Sequence, residues 1–222
     1  MPVDLTALEH APPSRVAAVG GLGVAVFATL GAAYALAKDG GPVPGAFRWL
    51  PVGLNAEWSL PAVYSGVLLL ATGLLAVRAG TTRPPAGSSV ALLGLGALFI
   101  FMAFDEVLAV HERIEEAVHL AWYKFYAPVA AVAGVAWLAV VRATWAHRGV
   151  RLALIGGSAC WLVSQLIETQ QYDGAELVNR WTILPEEVLE MTGSLLFLLA
   201  MLILVQAAPE PRREAAPATT GR

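Results

Sequence analysis

The stretch Leu184–Val205, LPEEVLEMTGSLLFLLAMLILV, holds three carboxylates in its first seven residues and no charge in the fifteen that follow. Its 22 residues match the roughly 20 that an α-helix needs to cross a bilayer. Working outward, five more apolar segments have similar character: Val16–Ala37, Pro61–Val77, Val90–Val110, Ala127–Val141 and Leu152–Ile167. The expected fold is therefore all-α, a polytopic transmembrane helical bundle of about six spans occupying residues 15–206. The flanking pieces, 1–14 and 207–222, are rich in Pro, Ala and charge and are expected to be disordered tails. Pro61, Pro128 and Pro185 each fall near a segment start, where a missing N–H costs nothing.

Composition agrees. The chain is 57% hydrophobic and 14% charged with a mean hydropathy of +0.64, against about 45–50% and about 25% in soluble domains. A net charge of −3 gives no electrostatic case for nucleic acid. With Cys160 as the single cysteine, an internal disulfide or thiolate cluster is impossible. No Gly-rich phosphate loop, nucleophile elbow or CxxC motif occurs. Ala35-Leu36-Ala37 before Lys38 resembles a signal-peptidase site, but the 22-residue apolar run exceeds the about 7–15 residues of a signal h-region. An uncleaved first span is expected.

Basic residues set the orientation. With the N-terminus inside, the inner segments carry nine Lys and Arg and the outer loops five. Without the arginines beyond Gln206 the balance narrows to six against five. The expectation is a cell-membrane protein with both ends inside.

The acids are distributed differently. Asp105 and Glu106 end the third segment, followed by His111, Glu112, Glu115, Glu116 and His119. Glu168 ends the fifth, and Glu186, Glu187 and Glu190 open the sixth. In any alternating six-span chain these three places share one membrane face, which the basic residues make extracytoplasmic. Val90–Phe104 is about 22 Å of helix, shorter than the hydrocarbon core of about 30 Å, so the third span should continue through Asp105 and Glu106. On one continuous helix Glu112, Glu116 and His119 would lie within about 40° of Asp105. Ser158, Gln165, Glu168, Thr169 and Tyr172 form a polar stripe on the fifth segment.

Carboxylates and imidazoles converging in a partly dry site are a ligand set for a divalent metal, with zinc, manganese or iron suited to O/N donors. A cation would also relieve the repulsion between close carboxylates. The expected ligands are Asp105, His111, Glu112 and Glu190, with Glu168 or Glu187 as general base. Glu106, Glu116, His119 and Glu186 are further candidates. Glu116-Ala117-Val118-His119 matches the Glu-x-x-His element of di-iron bundles, whereas Glu187-Val188-Leu189-Glu190 lacks the histidine. Plainer readings compete. Glu186 and Glu187 sit in a first helical turn, where acids complement the macrodipole. Asp105, Glu106 and Glu168 sit at helix C-termini and need a partner, which Arg113 or Lys124 could supply as an ion-pair network. Glu115 and Glu116 fit a solvated face, and His119 an interfacial position. Trp49, Trp58, Trp122, Trp145 and Trp181 suit an aromatic belt. Glycines such as Gly96 and Gly157 suit close helix packing, and Phe47–Ser59 is long enough to cover the site.

The phrases FDEVLAVHERI (104–114) and LPEEVLEMTGSLLF (184–197) resemble a group of small, uncharacterised bacterial multi-pass membrane proteins. These carry Asp-Glu-x4-His-Glu at one helix end and Glu-Glu-x-x-Glu opening the last span. The matching positions are Asp105, Glu106, His111, Glu112, Glu186, Glu187 and Glu190, and no activity is implied with them. The chain also loosely resembles membrane hydrolases that hold zinc with several histidines and an aspartate, though only His111 and His119 are available here.

Three functions follow as expectations. The first is a divalent-metal-dependent membrane enzyme, such as a hydrolase, acting on a lipid or small-molecule substrate. The second is a cation or proton transporter or relay, and the third a non-catalytic membrane subunit. A transport path needs polar residues continuing to the inner face, and the first, second and fourth segments offer almost none.

Overall fold

A computed structural model describes residues 5–39, 59–82, 84–118, 122–173, 176–177 and 180–207. Eight helices follow in chain order: α1 (Thr6–Glu9), α2 (Pro13–Asp39), α3 (Leu60–Thr82), α4 (Ser89–Leu108), α5 (Val110–Val118), α6 (Trp122–Ala143), α7 (Arg148–Glu168) and α8 (Ile183–Ala207). A two-residue antiparallel pairing, Tyr172–Asp173 with Glu176–Leu177, and a 3-10 turn at Arg180–Thr182 connect α7 to α8. All but α1 and α5 are long and apolar enough to cross a membrane. Helices are what such runs must form, because lipid offers no partner to an unpaired N–H or C=O. The chain is an all-helical, multi-pass membrane protein.

The helix ends follow local chemistry. The Ser59 hydroxyl accepts a hydrogen bond from the Ala62 N–H at 3.2 Å, satisfying an otherwise orphaned donor at the start of α3. Between α3 and α4 a tight turn places Gly87 at φ 75°, a conformation only glycine adopts without penalty. The third span ends at Leu108 rather than Val110, and α6 begins at Trp122, so Pro128 lies inside that helix rather than at its start.

Helix α8 is the hub, packing against α1, α2, α3 and α7, while α3 also packs along α4. The α3–α4 contact is close at Gly73 and Gly96. A Cβ on Gly73 would stand 2.8 Å from the Gly96 carbonyl oxygen, and one on Gly96 3.0 Å from that of Gly73. The buried core is apolar, with Leu69, Leu75, Leu92, Leu154, Met191, Met201 and Leu202 among its fully enclosed side chains. Helix α6 joins it only at its end, through Val140 and Val141; it touches chiefly α4 and exposes Val132, Val135 and Leu138, as a lipid-facing helix should.

Residues 1–14, read from sequence as a disordered tail, are structured from Leu5 onward. Helix α1 packs on α8, and the Gln206 amide donates to the Glu9 and Ala11 carbonyls at 2.8 and 2.9 Å. Glu9 is 8% exposed and pairs with Arg78 of α3 at 2.6 Å. Burying Leu5 and Leu8 against the core supplies the apolar contact that a Pro- and charge-rich composition had concealed. The start of α2 and the end of α8 thus lie at one end of the bundle, and the acids lie at the other.

Candidate functional site

At the end of α4, Ala109 adopts a left-handed conformation with φ 45° and ψ 51°. A non-glycine residue there costs roughly 1–2 kcal/mol, and Asp105 supplies the compensation. One carboxylate oxygen accepts the His111 backbone N–H at 2.8 Å, and the other meets His111 Nδ1 at 3.1 Å. Asp105 therefore caps the start of α5 while belonging to α4. This contact is the partner that an acid at a helix C-terminus requires. It also overturns the continuous stripe Asp105/Glu112/His119, because the break at Ala109 resets the helical phase.

Glu106, one residue on, is rotated by about 100° from Asp105 and turns to a different neighbour. Its carboxylate meets those of Glu187 and Glu190, with one oxygen from each within 4.8 Å of the others. Glu187 and Glu190 share a face of α8 at i, i+3, just inside a first turn that contains Pro185, where proline is tolerated. Glu190 is 9% exposed.

Helix α7 supports this face of α8. The two helices touch backbone to backbone at Gly157 and Gly193: a Cβ on Gly193 would stand 3.0 Å from the Gly157 carbonyl oxygen and 2.5 Å from Trp161 Cδ1. That closeness lets a ladder of neutral donors reach across. Trp161 Nε1 donates to Ser194 Oγ at 3.3 Å, Gln165 Nε2 to Glu190 Oε1 at 3.0 Å, and Gln171 Nε2 to Glu186 Oε2. Gln171 is completely buried and Glu186 nearly so. Glu168, ending α7, lies within electrostatic reach of Glu106, Glu186, Glu187 and Glu190, each of which it repels. Among the described residues, no Lys or Arg pairs with Glu106, Glu187 or Glu190.

The donor set brought together is thus Glu106, Glu187 and Glu190, which overlaps the sequence expectation only in part. Of the expected ligands, Glu190 lies in it. Asp105 and His111 are paired with one another, and the side chain of Glu112 lies outside the described residues, as do that of Glu116 and the whole of His119. Glu187, considered as a base, is one of the three clustered acids, while Glu168 and Glu186 border them. Gln165 belongs to the polar stripe read on the fifth segment. Gln171 and Trp161 escaped a reading keyed to charge, because both are neutral donors; the signal available was their polarity beside buried acids. Of the segment Phe47–Ser59, residues 47–58, with Trp49 and Trp58, lie outside the described residues, whereas Trp145 and Trp181 are exposed near helix ends.

Carboxylate oxygens converging from two helices in a largely enclosed place can hold a cation, share protons or bind a cationic group. A divalent ion would offset the mutual repulsion directly. Residues 16–205 match a protein family described as a domain of unknown function (DUF8692). No curated protein and no solved structure matches the chain.

Proposed function

The chain belongs to this family of unknown function, and we propose that it is a divalent-cation-dependent membrane enzyme. The observation that carries the proposal is the convergence of Glu106, Glu187 and Glu190 within 4.8 Å. Three ionised carboxylates at that spacing repel one another in a low-dielectric interior, and a bound cation would offset that repulsion. The bound cation would act as a Lewis acid or activate a water. Glu168, an electrostatic neighbour of the trio, would serve as general base, with the Asp105–His111 pair as a second candidate. Substrates would be membrane-associated, reaching the site at the bundle end that the basic residues assign to the extracytoplasmic side of the cell membrane. Apolar packing beneath Ser194, from Leu195 through Leu204 of α8, supports a blind site over a through-path and so favours an enzyme over a transporter.

The test is elemental analysis of the purified full chain. Stoichiometric divalent metal is expected in the wild type, with loss in Glu187→Gln plus Glu190→Gln. A wild type free of metal after purification in metal-supplemented buffer overturns the reading.

A further inference from the structure

We propose that the site has a second cation position, formed by Glu186 and the side-chain carbonyl of Gln171 beside the Glu106, Glu187 and Glu190 trio, so that it takes a pair of oxygen-preferring divalent cations. The proposal rests on the cation-site reading above and adds its stoichiometry and ligand class.

The independent observation is Gln171. Its side chain is 0% exposed, and its amide nitrogen is spent on Glu186. The oxygen of the same carboxamide is buried and, among the described residues, accepts no hydrogen bond. An ionised carboxylate only accepts, so it takes the nitrogen, which leaves the carboxamide oxygen without a donor among the described residues. An enclosed acceptor without a partner is uncommon and costly. A cation satisfies it without needing any N–H or O–H, and amide carbonyls are regular ligands of hard divalent ions.

Position and charge point the same way. Glu186 is i−1 to Glu187 and i−4 to Glu190, hence on the neighbouring turn of the same face, and its charge acts on Glu106, Glu187 and Glu190. With Glu168 the group numbers five carboxylates. Neighbouring carboxylates at that spacing repel one another, and each added divalent ion offsets part of the repulsion. Carboxylate-bridged ion pairs are an established solution to that problem in helical bundles. Among the described residues the donors gathered here are all oxygen, with His111 Nδ1 turned to Asp105, which favours Mn2+ over softer ions.

The test titrates the metal-stripped full chain in detergent with Mn2+, following free Mn2+ by electron paramagnetic resonance. Two equivalents are expected in the wild type. Glu186→Gln and Gln171→Leu should each bind one equivalent, the second being weakened at least about tenfold, as loss of a supporting ligand implies. Should Gln171→Leu fail to fold, Glu186→Gln carries the test, since it keeps the side-chain volume and can still accept the Gln171 donor. A wild type binding one equivalent overturns the second position and leaves the cation site standing. Two equivalents unchanged in Glu186→Gln overturn the assignment to these residues. No binding at all overturns both readings.

Discussion

The two ends of the bundle treat a buried acid in opposite ways. At the end where the chain enters α2 and leaves α8, Glu9 is 8% exposed and is matched by one guanidinium, Arg78, at 2.6 Å. At the other end, Glu106, Glu187 and Glu190 crowd within 4.8 Å, and the groups reaching Glu186 and Glu190 are the carboxamides of Gln171 and Gln165. The first arrangement neutralises a charge on the spot and closes a structural contact. The second orients acids through neutral donors. Among the described residues, the arginine solution used at Glu9 is not used at Glu106, Glu187 or Glu190, which is the contrast expected between a fastener and a binding site.

That contrast can be broken most forcefully at the acids themselves. Replacing Glu187 and Glu190 together by Gln should weaken divalent-cation binding at least about 100-fold, since first-contact donors matter more than the 10–100-fold of their supports; isothermal titration reads it directly. Binding unchanged from wild type would make the two ends alike in kind. Next in size, Arg78→Ala should destabilise the fold by about 1–3 kcal/mol, because Glu9 is left buried without its partner, and cation affinity should stay the same. Thermal unfolding in detergent measures the loss, and adding Glu9→Gln should recover part of it. If the double variant is no more stable than Arg78→Ala alone, the pairing is not what holds that end. Gln165→Leu sharpens the comparison further: it removes a donor to Glu190 and should cost cation affinity about tenfold with little change in melting temperature. The smallest effect is at Ala109, where Ala109→Gly should relieve the left-handed strain and stabilise the fold by about 0.5–1 kcal/mol. A destabilised Ala109→Gly would mean that the elbow is not strained.

The six spans were legible because hydropathy is a sum over some twenty residues and tolerates local error. Placing the acids at one end needed only the alternation of spans. What could not be read is which of two adjacent acids enters the site. Asp105 and Glu106 differ by one step of helix rotation, and the choice depends on how α4 is set against α3 by the Gly73–Gly96 contact. The elbow at Ala109 was hidden too, since Leu-Ala-Val carries no glycine or proline to announce a break. It depends on Asp105 reaching across six residues to His111, a tertiary contact in all but distance. The carboxamides were overlooked for a chemical reason: a buried acid invites a search for positive charge, and here its partners are neutral.

The abrupt elbow after Leu108 also gives the protein a sidedness. Glu106 stands two residues from that end of α4 and seventeen from Ser89 at the other, about 3 Å against about 26 Å along the axis. Exchange with the surroundings should therefore run through one face of the bilayer. A membrane-impermeant chelator added to sealed vesicles would strip the site when that face is outward and spare it when the vesicles are inverted, so the occupancy of a single carboxylate cluster would report which way the whole molecule is inserted.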